Sequence, residues 1–342
     1  MFWGICMKRD ARISIIRMIC TLAVVVLHIF QQLESICKPL HYATDWLNLG
    51  LVMFFCISAF LYSQREITKV PNWYLHRYLE IAIPSIIVGI ITVIIFSLKG
   101  SMRADKIVGA LLSCVGLQVY AKNAWMFVQL WFITYLLFFY LSVPLVQKIK
   151  CKEASEFKFW AMMAVSVIVL QAASIVFETI TGITLLSVGI LLRFYLPYFV
   201  FKRYDITGDK IKPIMCLFTA FSALAIGGIC WVRYTPNIGI PAEIAELLFV
   251  YIQTVVGFTL FYWLYKGFAW AKTYSTTLKL SDKYSYEIYL THCLFIGYST
   301  SLIWSVKNIV LGIVAALAAT AISSIVLNYI SSVIKKPLRK YF

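Results

Sequence analysis

Runs of apolar residues recur along this chain at about the twenty-residue length that a helix needs to cross the hydrocarbon core of a bilayer. About ten such runs are present, near 13–33, 46–63, 81–98, 126–147, 157–177, 183–201, 213–232, 244–265, 285–303 and 308–332. Only 13% of the 342 residues are charged and 61% are hydrophobic, whereas a soluble domain carries about 25% charged residues. No polar stretch is long enough to build a separate globular unit. The expectation is an all-α, polytopic integral membrane protein: a single membrane domain over 1–342, with about ten transmembrane helices joined by short loops.

The formal net charge of +16 would suit nucleic acid if the cations formed a patch, so their placement decides the matter. With the N-terminus inside, Lys and Arg fall by about three to one on the loops that face the cytoplasm, which predicts both termini cytoplasmic and no nucleic-acid partner. The outer loop after the third span, with Lys99, Arg103, Lys106 and Lys122, is more basic than that rule favours. Within it, 106–120 is too short to span comfortably. It is either an interfacial or re-entrant helix or an eleventh crossing. Lys8, Arg9 and Arg12 precede the first run, and no small-residue cleavage site follows. The start therefore resembles an uncleaved first span. The expected location is the inner (plasma) membrane.

The nine cysteines form no Cys-x-x-Cys pair and read as small buried hydrophobes. The four histidines, His28, His41, His76 and His292, show no ligand spacing among themselves, so no metal is expected. Pro84, Pro144 and Pro197 fall within or near the ends of spans, where a kink opens space between helices.

The first span, "IIRMICTLAVVVLHIFQQ", carries Arg17 and His28. Eleven residues is only about 20° past three full helical turns, so the two share a face, roughly 16 Å apart along the axis. Arg17 either snorkels at the inner interface or binds an anion. His28 lies deeper, where ionisable groups face protein or cavity rather than lipid. In "KYSYEIYLTHCLFIGY", Ser285, Tyr289 and His292 share one helix face. They either orient a polar substrate or make an interhelical polar contact. The loop "NWYLHRYLEIAIP" sets His76 and Arg77 where a phosphate could meet them, and a cationic loop that fixes topology explains them equally well. Ser58 and Ala59 offer a small packing surface, Trp131 an interfacial anchor. Arg193, mid-span, needs a carboxylate, carbonyl or water partner, with Glu178 and Glu246 as candidates.

Taken in order, Arg17 and His28, "FFCISAFL", "HRYLEIAIP", "LWFITYLLFFYLSVPL" and "SYEIYLTH" resemble acyltransferase family 3, the integral-membrane O-acyltransferases that modify bacterial surface glycans and some small molecules. The chain has Ser58-Ala59 where that family often has Ser-Gly, Glu80 where a second arginine is common, and Gln129 where a histidine is frequent. The resemblance implies a cytoplasmic acyl-CoA donor as co-substrate, with no bound cofactor. It also implies a hydroxyl acceptor, such as a cell-surface glycan or its lipid-linked precursor, with acetyl the default acyl group and succinyl second. His28 is then the catalytic residue, as general base or as an acylated intermediate. Arg17 and Arg77 hold the donor, and Tyr289 and His292 orient the acceptor or stabilise an oxyanion. The rival reading is a transporter or flippase for a glycan intermediate or small polar solute. A non-enzymatic sensor is a further one. The absence of an inverted repeat or of paired broken spans counts against transport.

Overall fold

The computed structural model describes residues 10–100, 104–120, 130–182, 186–235, 239–271, 273–297 and 300–338. These residues fold as helices and loops, with no strand among them. The first helix, α1 (Ala11–Leu33), starts at Asp10, whose carboxylate accepts from the Arg12 backbone N–H at 3.0 Å and caps the first turn. α2 (Leu40–Leu47) and α3 (Leu49–Ser63) are separated by Asn48 alone and together make one apolar stretch. α4 (Val70–Leu98) and α5 (Ala104–Cys114) follow, and α6 (Trp131–Val146) comes after a short 3-10 turn at Gln118–Tyr120. α7 (Glu156–Thr181), α8 (Val188–Arg203), α9 (Ile211–Tyr234) and α10 (Ala242–Gly267) lead to α11 (Thr276–Phe295) and α12 (Ile309–Leu338).

Among the described residues, seven of the expected spans are long and apolar enough to cross a bilayer: α1, α2–α3, α4, α7, α9, α10 and α12. The chain is therefore a multi-pass membrane protein. The other three expected spans are also helices, but α6 and α8 have only 16 residues and α11, with 20, carries a polar first half. At 106–120 the described helix is shorter than a crossing needs. α5 has 11 residues, about 16 Å of helix against a core of about 30 Å. Beyond its end, Gly116 turns at φ +85°, and a Cβ there would lie 2.3 Å from Leu137 Cδ1 on α6. The positive φ favours glycine there, and the leucine tip fills the space that a Cβ would take.

α1 packs against α3 and α11, α3 against α8 and α10, and α11 against α12, so the inner helices are α1, α3, α8, α10 and α11. α7, α9 and α12 present Val165, Ile168, Leu217, Leu224, Ile322 and Ile325 outward, as helices surrounded by lipid tails must. Small residues allow close approach in the core: a Cβ on Gly257 of α10 would lie 2.5 Å from Val52 Cγ1 of α3. Pro84, Pro144 and Pro197 all lie inside helices. Beside Pro84, the Ile81 carbonyl accepts from Ser85 Oγ at 2.9 Å and from Tyr286 OH of α11 at 2.9 Å. Those side chains satisfy a backbone that the proline disturbs.

Candidate active site

His28 and His292 meet between α1 and α11, with ring centroids 4.9 Å apart and planes tilted by 38°. Val25 and Ile29, neighbours of His28 along α1, pack with Ile296, Ile303 and Ala316 in an apolar cluster. His292 is fully buried and His28 partly so, so one ring is approachable and the other is held by protein.

Neighbouring oxygens set the protons on both rings. His28 Nδ1 lies 2.7 Å from Gln31 Oε1, one turn along α1. An amide oxygen only accepts, so this contact is a hydrogen bond in the tautomer that carries the proton on Nδ1 and leaves Nε2 its lone pair. His292 Nδ1 lies 3.1 Å from the Ile288 carbonyl, which makes the same choice. Its Nε2 is 3.2 Å from Cys293 Sγ. The Tyr289 ring stands 5.8 Å from His292 and 5.3 Å from Phe132 of α6. Three of the residues expected at the site, His28, Tyr289 and His292, therefore form one cluster.

The two arginines lie elsewhere. Arg17 Nη1 binds Asp282 Oδ1 at 2.5 Å, and Asp282 Oδ2 also accepts from Ser14 Oγ and Tyr274 OH, each at 2.6 Å. The acidic residue that engages Arg17 thus comes from the opening turns of α11, the same helix that carries His292. Arg77 stands on α4 with its guanidinium 5.7 Å from the Tyr62 ring, and its buried Nε has no hydrogen-bond partner among the described residues. It borders a cavity of about 460 Å³ between α4, the turn after α5 and α6, with Tyr74, Gly116, Tyr120 and Tyr140 among its walls. Neither histidine lines that cavity. Glu80, three residues on, pairs with Lys335 of α12 at 2.7 Å, so the position where a second arginine is common here ties two helices together.

Arg193 finds a carbonyl rather than either candidate carboxylate: Nη2 donates to Gln253 Oε1 at 3.0 Å, and Gln253 Nε2 donates to the Asp45 carbonyl at 2.6 Å. Glu246 pairs with Arg233 instead. Gln129 lies outside the described residues. Read from sequence, Asp282 and Gln31 have no assigned role, and Cys293 is a small buried hydrophobe like the other cysteines within spans. Asp282 sits among loop charges that read as topology signals, whereas Gln31, at i+3 from a histidine within a span, was a readable signal. Spacing among histidines also could not show that His28, His292 and Cys293 hold their ligand atoms within 4.8 Å of one another.

A many-helix bundle with apolar outer helices and a histidine pair between two inner ones defines a multi-pass membrane protein with a polar cluster inside its helical domain. Residues 10–329 match the family model described as "Acyltransferase domain". The chain belongs to acyltransferase family 3, and it is a membrane acyltransferase. Searches of curated proteins and of solved structures returned no match.

Proposed function

We propose that the protein is a membrane-bound O-acyltransferase of the inner membrane, with both termini cytoplasmic, that moves an acetyl group from acetyl-CoA to a hydroxyl of a cell-surface glycan or its lipid-linked precursor. The observation that carries this reading is the bare Nε2 of His28, fixed by Gln31 and backed by His292. A neutral imidazole with one nitrogen locked as donor is a ready base for a hydroxyl. As the acceptor oxygen attacks the thioester carbonyl, Nε2 takes its proton. Collapse of the tetrahedral species expels the CoA thiolate, which recovers that proton. The same lone pair also suits a two-step route in which His28 is acylated first and then hands the acyl group on, with ping-pong kinetics. Tyr289 and His292 are proposed to orient the acceptor or stabilise the oxyanion.

For the donor, Arg77 has the unpartnered Nε that a phosphate could meet, whereas Arg17 already holds Asp282. Arg17 is proposed to contribute through its remaining N–H groups, at the end of α1 opposite His28. No bound cofactor is needed. Acyl-CoA, the hydroxyl acceptor and the bilayer are the partners.

The test is transfer of label from radiolabelled acetyl-CoA to the cellular glycan fraction in membranes holding matched amounts of wild type and His28→Ala. We expect the variant to lose at least about a hundredfold in transfer. Equal transfer by both removes His28 from the chemistry. No transfer with any acyl donor makes solute transport the better reading.

A further inference from the structure

The pair of histidines, with the cysteine beside His292, is more than a hydrogen-bonding set. His28, His292 and Cys293 each offer one soft or borderline ligand atom, and these atoms lie within 4.8 Å of one another. Two neutral imidazoles and a thiol are a donor set that zinc takes readily, and hard cations such as magnesium and calcium do not.

We propose that His28, His292 and Cys293 form a zinc site whose occupancy shuts the acyl-transfer centre by capping His28 Nε2. Zinc–nitrogen bonds near 2.0–2.1 Å and zinc–sulfur bonds near 2.3 Å place tetrahedral ligand atoms roughly 3.3–3.8 Å apart. His292 Nε2 and Cys293 Sγ, at 3.2 Å, sit slightly inside that spacing and need only a small separation to reach it. The widest gap, at most 4.8 Å, closes by about 1.5 Å or less, within reach of a side-chain rotation of the partly exposed His28. The carbonyl oxygens behind the rings are what a metal site needs: metal-binding histidines donate their other ring N–H to such an acceptor, which orients the ring and aims the lone pair at the ion. Gln31 Oε1 and the Ile288 carbonyl do this for His28 and His292. Binding releases the Cys293 thiol proton to solvent, so the thiolate offsets one of the two charges of the ion. Three protein ligands leave one position for water.

Zinc binding by itself does not depend on the acyltransferase reading. The inhibitory consequence rests on it, through His28. The full-length chain in detergent, stripped of metal, is titrated with zinc against a chromophoric chelator, and in parallel with cobalt(II), whose bond to a thiolate gives a charge-transfer absorption. Wild type is expected to take up one zinc and to show that band, and Cys293→Ser to lose the band and bind zinc more weakly by on the order of tenfold or more. His28→Gln is expected to weaken binding similarly, which covers the case that Cys293→Ser folds poorly. Acyl transfer by wild type is expected to fall as zinc is added and to return with a chelator, while Cys293→Ser needs a higher zinc concentration for half-inhibition. Equal zinc binding by wild type and both variants, or absence of the cobalt band in wild type, overturns the site. If the band appears but no donor supports transfer, the site stands and the acyltransferase reading falls. If transfer runs undisturbed by zinc and no band appears, the reverse holds.

Discussion

Gln31 touches neither a donor nor an acceptor in the proposed reaction, yet its amide oxygen decides which nitrogen of His28 can act as base. It is a positioning residue, and its replacement should behave as one. Gln31→Leu is expected to lower transfer by about tenfold or more and to change the pH–rate profile, since the proton is no longer pinned to Nδ1. Gln31→Glu, which restores an acceptor, should recover most of the loss. An unchanged profile in Gln31→Leu would leave Gln31 with a packing role. Arg17 calls for a different measurement. Its partner Asp282 has a side chain only 11% exposed, and removing the guanidinium leaves that carboxylate with two hydroxyl donors. Arg17→Ala is therefore expected to cost about 1.5–3 kcal/mol, read as a lower melting temperature in detergent. The exchange Arg17→Asp with Asp282→Arg should regain part of it. If the single variant melts like wild type while its KM for acyl-CoA rises, Arg17 serves the donor alone.

At the scale of elements, the site depends on how α1 is anchored at its start. At its start, Asp10 caps the helix, takes the Arg12 side chain and accepts from Tyr265 OH of α10 at 2.9 Å. Burial pushes the Asp10 carboxyl up, but the hydrogen bonds from Arg12 and Tyr265 outweigh it and hold it below its ordinary value. A depressed carboxylate contributes stability that is present above the unfolded value, about pH 4, and is lost as pH falls through the lower folded one. Asp10→Asn keeps a capping side chain but drops the charge. Thermal melts from pH 7 downward should show wild type losing an advantage over Asp10→Asn below about pH 4. Parallel curves would mean that the α1–α10 anchor is not electrostatic. Several elements were readable in advance for physical reasons: the apolar runs at 13–33 and 308–332 are long and uninterrupted, and hydrophobic length alone makes them helices in a membrane. The polar first half of α11 and the 16 residues of α6 and α8 weaken that signal, which is why the ten expected spans contain seven that meet it.

For the whole molecule, the exposed apolar faces of α7, α9 and α12 assign the outer surface to lipid and leave the polar chemistry to the inner helices. The proposed topology has a direct check. Cys37 is exposed in the turn after α1, which the topology puts on the side opposite both termini. A membrane-impermeant maleimide added to intact cells should label wild type but not Cys37→Ser, while a C-terminal tag stays protected from added protease. Labelling only after the membrane is opened would invert the topology.

By itself the sequence determined that this is an all-helical membrane chain, that Arg17 and His28 share a face, and that Ser285, Tyr289 and His292 share another. Those are consequences of hydrophobic length and of 3.6 residues per turn, both local properties. Only the tertiary structure decided that the second face meets the first at His28, that Cys293 lies beside that pair, that Asp282 engages Arg17, and that Arg77 borders a separate cavity. Which helix lies beside which depends on close packing at positions such as Gly257 and Val52 and on polar partners far apart in the chain. No periodicity within a single helix encodes that choice.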